Sequence, residues 1–212
     1  MINLTKGSTI NLSKETNNGL STVIVGLGWD VAGSNTDSTK KKGFFSKLFG
    51  SSTSTSNPPS IDCDASAIVC RNGHYCQNND IVYFGNLHHS SKAINHMGDN
   101  LTGDGDGDDE QIKIDLNALS SDIDKIGIVV NIYGARGKGQ HFGMIENAFV
   151  RIVDAKTNKE ICRYSLSDNY SGCIAMIFGD LFKSNGDWQF NAVGKGTNDS
   201  SVNELAYYYR YK

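Results

Sequence analysis

Apolar residues in this chain come in short bursts. STVIVGLGW (21–29) and IGIVVNIYGA (126–135) are rich in β-branched residues and bounded by glycine, the pattern of strands buried on both faces. SAIVCR (66–71) and DIVYFGNL (80–87) continue the pattern on either side of the turn-like NGHYCQNN, and QIKIDL (111–116) alternates apolar with polar residues as a half-buried strand does. Two hairpins follow. NAFVRIVDAKTNKEICRYSL (147–166) turns at AKTNK, and AMIFGDLFKSNGDWQFNAVG (175–194) turns at Asn185-Gly186, the dipeptide whose positive φ angles suit a two-residue hairpin loop. Helical signals are few: one turn in NALSSDIDKI (117–126), and a C-terminal face formed by Val202, Leu205, Ala206 and Tyr209 at i, i+3, i+4 and i+7. Eight or more short strands with so little helix predict a mainly β fold, a β-sandwich of two antiparallel sheets with a few short helices. Trp29 and Trp188 sit in strand-like runs and are expected in its core.

A length of 212 residues, 38% of them hydrophobic, fits a single domain over 1–212. Composition breaks once: SNTDSTKKKGFFSKLFGSSTSTSNPPS (34–60) is rich in Ser and Thr and contains both prolines, and is expected as a flexible insert between strands. Its centre, KKKGFFSKLFG (40–50), combines four lysines with three phenylalanines, a composition suited to a membrane surface or a partner groove. The net charge of −3 and pI near 5.9 supply no basic field for nucleic acid. No apolar stretch reaches the roughly 18 residues of a transmembrane helix, the N-terminus lacks a signal-peptide core, and five cysteines without regular spacing argue against a disulfide framework. The cytoplasm is the expected location.

The chemistry gathers in GDNLTGDGDGDDE (98–110), which puts six carboxylates into thirteen positions. Like charges about 4 Å apart repel by about 1 kcal/mol in water and about 4 kcal/mol near a protein surface, so this loop calls for a cation. Asp99, Asp104, Asp106, Asp108, Asp109 and Glu110 supply charged oxygens, Asn100 and Thr102 neutral ones, and the glycines let backbone carbonyls turn inward. A donor set of hard oxygens selects calcium or magnesium over zinc or copper, and the number of carboxylates favours Ca2+. Asp62 and Asp64, two apart in IDCDASAIV, share a strand face and form a second acidic pair; Asp30, closing GLGWD, is a further candidate. Asp104-x-Asp106-x-Asp108 matches the opening of an EF-hand loop, but position six is Asp109 instead of Gly and position twelve Asp115 instead of Glu.

Other chemistries find little support. Cys70-x5-Cys76 is too widely spaced for a zinc pair, and His74, His88, His89 and His96 read as structural. No G-x-S-x-G elbow appears, and GARGKGQ (134–140) lacks the Lys-Ser/Thr of a phosphate loop. The alternative to a binding module is a calcium-dependent hydrolase of phosphate esters, in which clustered metals activate water.

GLGWD, DCDASA, MGDNLTGDGDGDDEQIKIDL, FGMIENAFVRIVD, LSDNYSGCIAMIFGDLF and NGDWQFNAVGKG, in that order, resemble the TerD family of tellurium-resistance and general-stress proteins. The resemblance covers the chain apart from the insert and the last dozen residues. It implies a β-sandwich with two adjacent calcium sites at one end and no catalytic activity. It also implies a role in stress resistance alongside other tellurium-resistance proteins, in the cytoplasm or at the membrane. By motif, the implied ligands are Asp62, Asp64, Asp99, Asn100, Thr102, Asp104, Asp106, Asp108, Asp109 and Glu110, with Asp30 a weaker match.

Overall fold

The computed structural model describes residues 1–16, 19–32, 60–98 and 107–210. The expected insert at 34–60, including the basic segment 40–50, lies outside the described residues except for Ser60.

Among the described residues, twelve strands form two six-stranded sheets. The first runs β1 (Ile2–Leu4), β10 (Lys159–Ser165), β9 (Ile145–Asp154), β3 (Thr22–Val31), β7 (Glu110–Asp115), β6 (Ile94–His96). The second runs β2 (Thr9–Asn11), β12 (Asp187–Thr197), β11 (Ala175–Ser184), β8 (Ile123–Ile132), β4 (Cys63–Arg71), β5 (Ile81–Val82). Every pairing is antiparallel except β1 with β10. The mainly β sandwich expected from the pattern of short apolar runs is the fold observed. Each sheet ends in strands of two or three residues, β1 and β6 in one, β2 and β5 in the other.

Alternation builds the core. Val23, Val25, Leu27 and Trp29 of β3 meet Cys63, Ala65, Ala67 and Val69 of β4 in the layer between the sheets, with Trp188 and Phe190 from β12. Residues of opposite parity on β4 face outward, and there Ile68 and Cys70 join Val129, Ala175 and Ile177 in a second cluster. This cluster is roofed by Val202, Leu205 and Ala206 of α2 (Val202–Tyr207) and by Tyr209 in the turn after it; the helix expected from their spacing ends before Tyr209. Ser201 caps the helix by accepting from the Glu204 N–H, and Glu204 reaches back to the Ser200 N–H at 2.6 Å. Tyr209 lies across Gly127, where any Cβ would overlap its ring, and donates its hydroxyl to Asp180 at 2.7 Å.

The Asn185-Gly186 hairpin forms as expected, with φ of 54° and 86° at the two turn residues. Two expectations change. DIVYFGNL is strand only at Ile81–Val82, because the chain reverses between Tyr83 and Asn86 and the Asn86 side chain donates back to the Ile81 carbonyl at 2.7 Å. The expected helical turn in NALSSDIDKI is absent. Asp115 instead accepts from the N–H groups of Asn117 and Ala118, and β8 has begun by Ile123. Strands β1, β2 and β6 were not legible, being three residues each.

Below the second sheet, Asp80 is wholly buried and its Oδ1 takes bonds from both Arg71 Nη2 and His89 Nε2 at 3.1 Å. Arg71 continues to Asp122 at 2.6 Å, and Ser91 pairs with His89 Nδ1 at 2.7 Å. These histidine and arginine contacts agree with a structural reading of His89. The segment GARGKG forms one turn, α1 (Ala135–Lys138), between two glycines in the left-handed region.

Candidate functional site

The acidic loop returns to the sandwich through residues 107–110, and each acidic side chain of this stem has a different anchor. The Asp108 side chain is 1% exposed and lies on the outer face of the first sheet, over Gly26, where a Cβ would overlap its carboxylate. Arg151 of β9 grips both its oxygens, Nε to Oδ1 at 2.7 Å and Nη2 to Oδ2 at 3.0 Å, and Gln111 donates to Oδ2 at 2.9 Å. The Asp108 carboxylate in turn raises the Arg151 pKa above the usual guanidinium range. Arg151 also meets Glu160 at 3.1 Å; Glu160 is gripped by Arg163, which with Arg151 holds its carboxyl below the ordinary range. The Arg163 guanidinium stands 4.0 Å from the centroid of Phe149, which covers Gly28.

Asp109 bonds to β3 at two points: its N–H donates to the Leu27 carbonyl and its Oδ2 accepts from the Trp29 N–H, both at 2.8 Å. Glu110 opens β7 and turns toward the other sheet. Its Oε2 accepts from the Ala65 N–H at 2.6 Å. Strand β5 pairs with β4 only at Ala67 and Ile68, so this backbone donor lies beyond the ladder and the carboxylate takes it. His96 is buried beside it, with Nε2 3.5 Å from Glu110 Oε2 and Nδ1 accepting from the Gly98 N–H at 3.3 Å.

The second acidic pair sits at the start of β4. Asp64 is buried on the outward side of the strand and accepts from Asn131 of β8 at 3.2 Å. Asp62 precedes the strand, and its carbonyl accepts from the Tyr133 N–H at 2.8 Å. Between the two aspartates lies Cys63. Burial pushes its thiol pKa well up, and the charges of Asp64, Glu110, Asp62 and Asp109 push it further. Carboxylates from two distant segments thus lie near enough to Cys63 to raise its thiol pKa together. Asp30, the residue after Trp29 on β3, accepts from the Asn147 side chain at 2.8 Å. Among the described residues, no group of three or more His, Cys, Asp or Glu is close enough to hold a metal by itself. The remaining candidates, Asp99, Asn100, Thr102, Asp104 and Asp106, lie outside the described residues.

Sequence reasoning missed the partners of these acids: Arg151, Gln111, Asn131, Asn147 and the Ala65 N–H. One signal was available. Gly26 and Gly28, two apart in a strand, mark a face that other groups approach closely, and Asp108 and Phe149 fill it.

A TerD domain model matches residues 1–209. The chain belongs to the TerD family. It is 46% identical to stress response protein SCP2 of Bacillus subtilis, with 96% of each chain covered. It is 39% identical to tellurium resistance protein TerD of Serratia marcescens, covering 92% of this chain and 90% of that one. The structure of a homologue of the telluride resistance protein from Streptomyces coelicolor superposes with a TM-score of 0.61 at 20% identity, over 89% of this chain and 96% of the other. That likeness shows the shared sandwich fold. No helix among the described residues is long and apolar enough to cross a membrane.

Proposed function

We propose that this TerD-family stress protein is a non-catalytic calcium-binding module, with two Ca2+ ions held at the acidic end of the sandwich. The observation that carries this reading is the bond from the Ala65 N–H to Glu110 Oε2 at 2.6 Å, which ties the acidic stem to the strand that carries Asp64 and follows Asp62, 45 positions away in sequence. The donor set fits the ion: carboxylate oxygens, hard and anionic. Asp99, Asn100, Thr102, Asp104 and Asp106 complete the proposed ligand set, and Asp30 stands as a peripheral member. Calcium supplies the positive charge that lets these groups stay ionised together. The chain's own residues do the rest. The Ala65 N–H orients Glu110, Asn131 orients Asp64, and the Trp29 N–H orients Asp109.

Because the ligands come from separate segments, the ion ties the loop to the sandwich and stabilises the native state. Loading also changes the charge of one end of the molecule, which is the surface offered to partners. The names of its relatives support a role in stress response or tellurium resistance. The partners we assign are other proteins of that system, met in the cytoplasm, with segment 40–50 contacting a membrane surface.

Calorimetric titration of chelator-treated protein tests the reading. The expected result is about two equivalents of calcium bound, in preference to magnesium. Absence of binding at millimolar calcium refutes it, and calcium-dependent turnover of a generic phosphate ester refutes the non-catalytic part.

A further inference from the structure

The geometry points to the Arg151–Asp108 ion pair as a positioning staple for this end of the sandwich: it withdraws Asp108 from the ligand set and fixes where Asp109 and Glu110 stand. The inference rests on the calcium reading for its effect on affinity, and on the sandwich alone for its effect on the stem.

Asp108 is an acid of this run whose charge is answered by a guanidinium. Three donors meet its two oxygens, and two of them belong to one guanidinium in a bidentate fork, the strongest and most direction-specific arrangement available to a carboxylate. With a side-chain exposure of 1%, it cannot turn toward an ion without abandoning all three donors. Space for it exists only because position 26 is glycine. Behind Arg151 stand Glu160, Arg163 and Phe149 in sequence. Two acids and two arginines therefore cancel on the outer face of the first sheet, and the fork that holds Asp108 is itself held.

Position 108 then dictates its neighbours. Asp109 is bonded to β3 at Leu27 and Trp29. Glu110 pairs with Leu27 and crosses to the Ala65 N–H of the opposite sheet. No free residue separates the staple from these two carboxylates, so the stem enters the site in one conformation. A pre-set ligand gives up less freedom on binding and binds more tightly. Arg151 acts through Asp108 on groups it does not touch, which makes it a positioning residue.

Four variants test this by calcium titration and by amide exchange in chelator. Asp108→Asn puts an NH2 donor where one oxygen accepted from Arg151 or Gln111 and so breaks the fork, but is expected to retain the wild-type stoichiometry, with affinity lowered by no more than in Arg151→Met. Arg151→Met is expected to weaken calcium by about tenfold at unchanged stoichiometry, and Arg151→Lys, which keeps the charge but not the fork, to recover only part of that loss. Gly26→Ala changes no charge but displaces the Asp108 carboxylate, and should reproduce Arg151→Met. In chelator, the Trp29 and Asp109 amides should exchange faster in Arg151→Met and Gly26→Ala, while amides of the β11–β12 hairpin do not change.

Loss of one bound ion in Asp108→Asn makes Asp108 a ligand and overturns the inference. So does wild-type affinity in Gly26→Ala, or full recovery by Arg151→Lys. If the wild-type protein takes up no calcium, the calcium reading fails by itself. The exchange measurement then decides the staple, with unchanged Trp29 and Asp109 protection in Gly26→Ala refuting it. Asp108→Asn answers the ligand question even where Arg151→Met does not fold.

Discussion

Tyr209→Ala offers a sharp test of how the outer layer of the second sheet contributes to stability. The ring is 1% exposed, lies across Gly127 and packs in the cluster of Ile68, Cys70, Val129, Ala175 and Ile177. Truncating a buried aromatic side chain to alanine costs about 3–5 kcal/mol, through lost transfer energy and the cavity left behind. In a chain of 212 residues, each kcal/mol moves the unfolding midpoint by about 2–4 °C, so the expected fall is about 6–20 °C. Tyr209→Phe separates the parts: it keeps the ring and removes only the 2.7 Å bond to Asp180. A hydrogen bond to a charged group contributes about 1.5–3 kcal/mol, which predicts a smaller fall of about 3–12 °C. Thermal unfolding followed by circular dichroism in chelator reads both. A shift within about 2 °C for Tyr209→Ala would refute the view that α2 completes the core. The same residue sets an alkaline limit. Burial, then the Asp180 charge, push the Tyr209 phenol well above its ordinary value. The unfolded chain therefore releases this proton first, at a pH of about 10. Its contribution to stability is complete below that pH and declines above it, and Tyr209→Phe should lack this part of the decline.

Saturating calcium, at about 100 times the dissociation constant, should raise the melting temperature by about 5–10 °C, from about 2.7 kcal/mol of linkage; no shift at millimolar calcium would count against native-state binding. Arg71→Met should cost about 3–5 kcal/mol in urea unfolding, because it leaves the wholly buried Asp80 without its cation; a loss below about 1 kcal/mol would show that His89 suffices. A thiol reagent at pH 8 should label Cys76, the exposed cysteine, quickly and leave Cys70 and Cys162 untouched in the native state. Burial raises both of those thiols to about 12. Disappearance of the fast phase in Cys76→Ser confirms the assignment.

The strands and hairpins legible in the sequence were those with strong local signals. The Asn185-Gly186 turn, the β-branched runs that became β3 and β8, and the spaced apolar face of α2 each carry their instruction within a few residues. What escaped notice depends on tertiary contact. Strands β1, β2 and β6 exist because a neighbouring strand offers bonding groups to three residues, and DIVYFGNL turns because Asn86 finds the Ile81 carbonyl. The candidate site divides in the same way. A dense acidic loop and a spaced aspartate pair announce an appetite for cations. Which acid is answered by an arginine and which by a backbone amide depends on residues about 40 positions away, such as Arg151 for Asp108 and Ala65 for Glu110.

The shortness of the marginal strands has a consequence for solution behaviour. With no more than three residues in β1, β2, β5 or β6, a stray extended peptide meets too few open main-chain groups to dock and spread. The sandwich edges are therefore poor templates for strand addition and for the fibrils that grow from it.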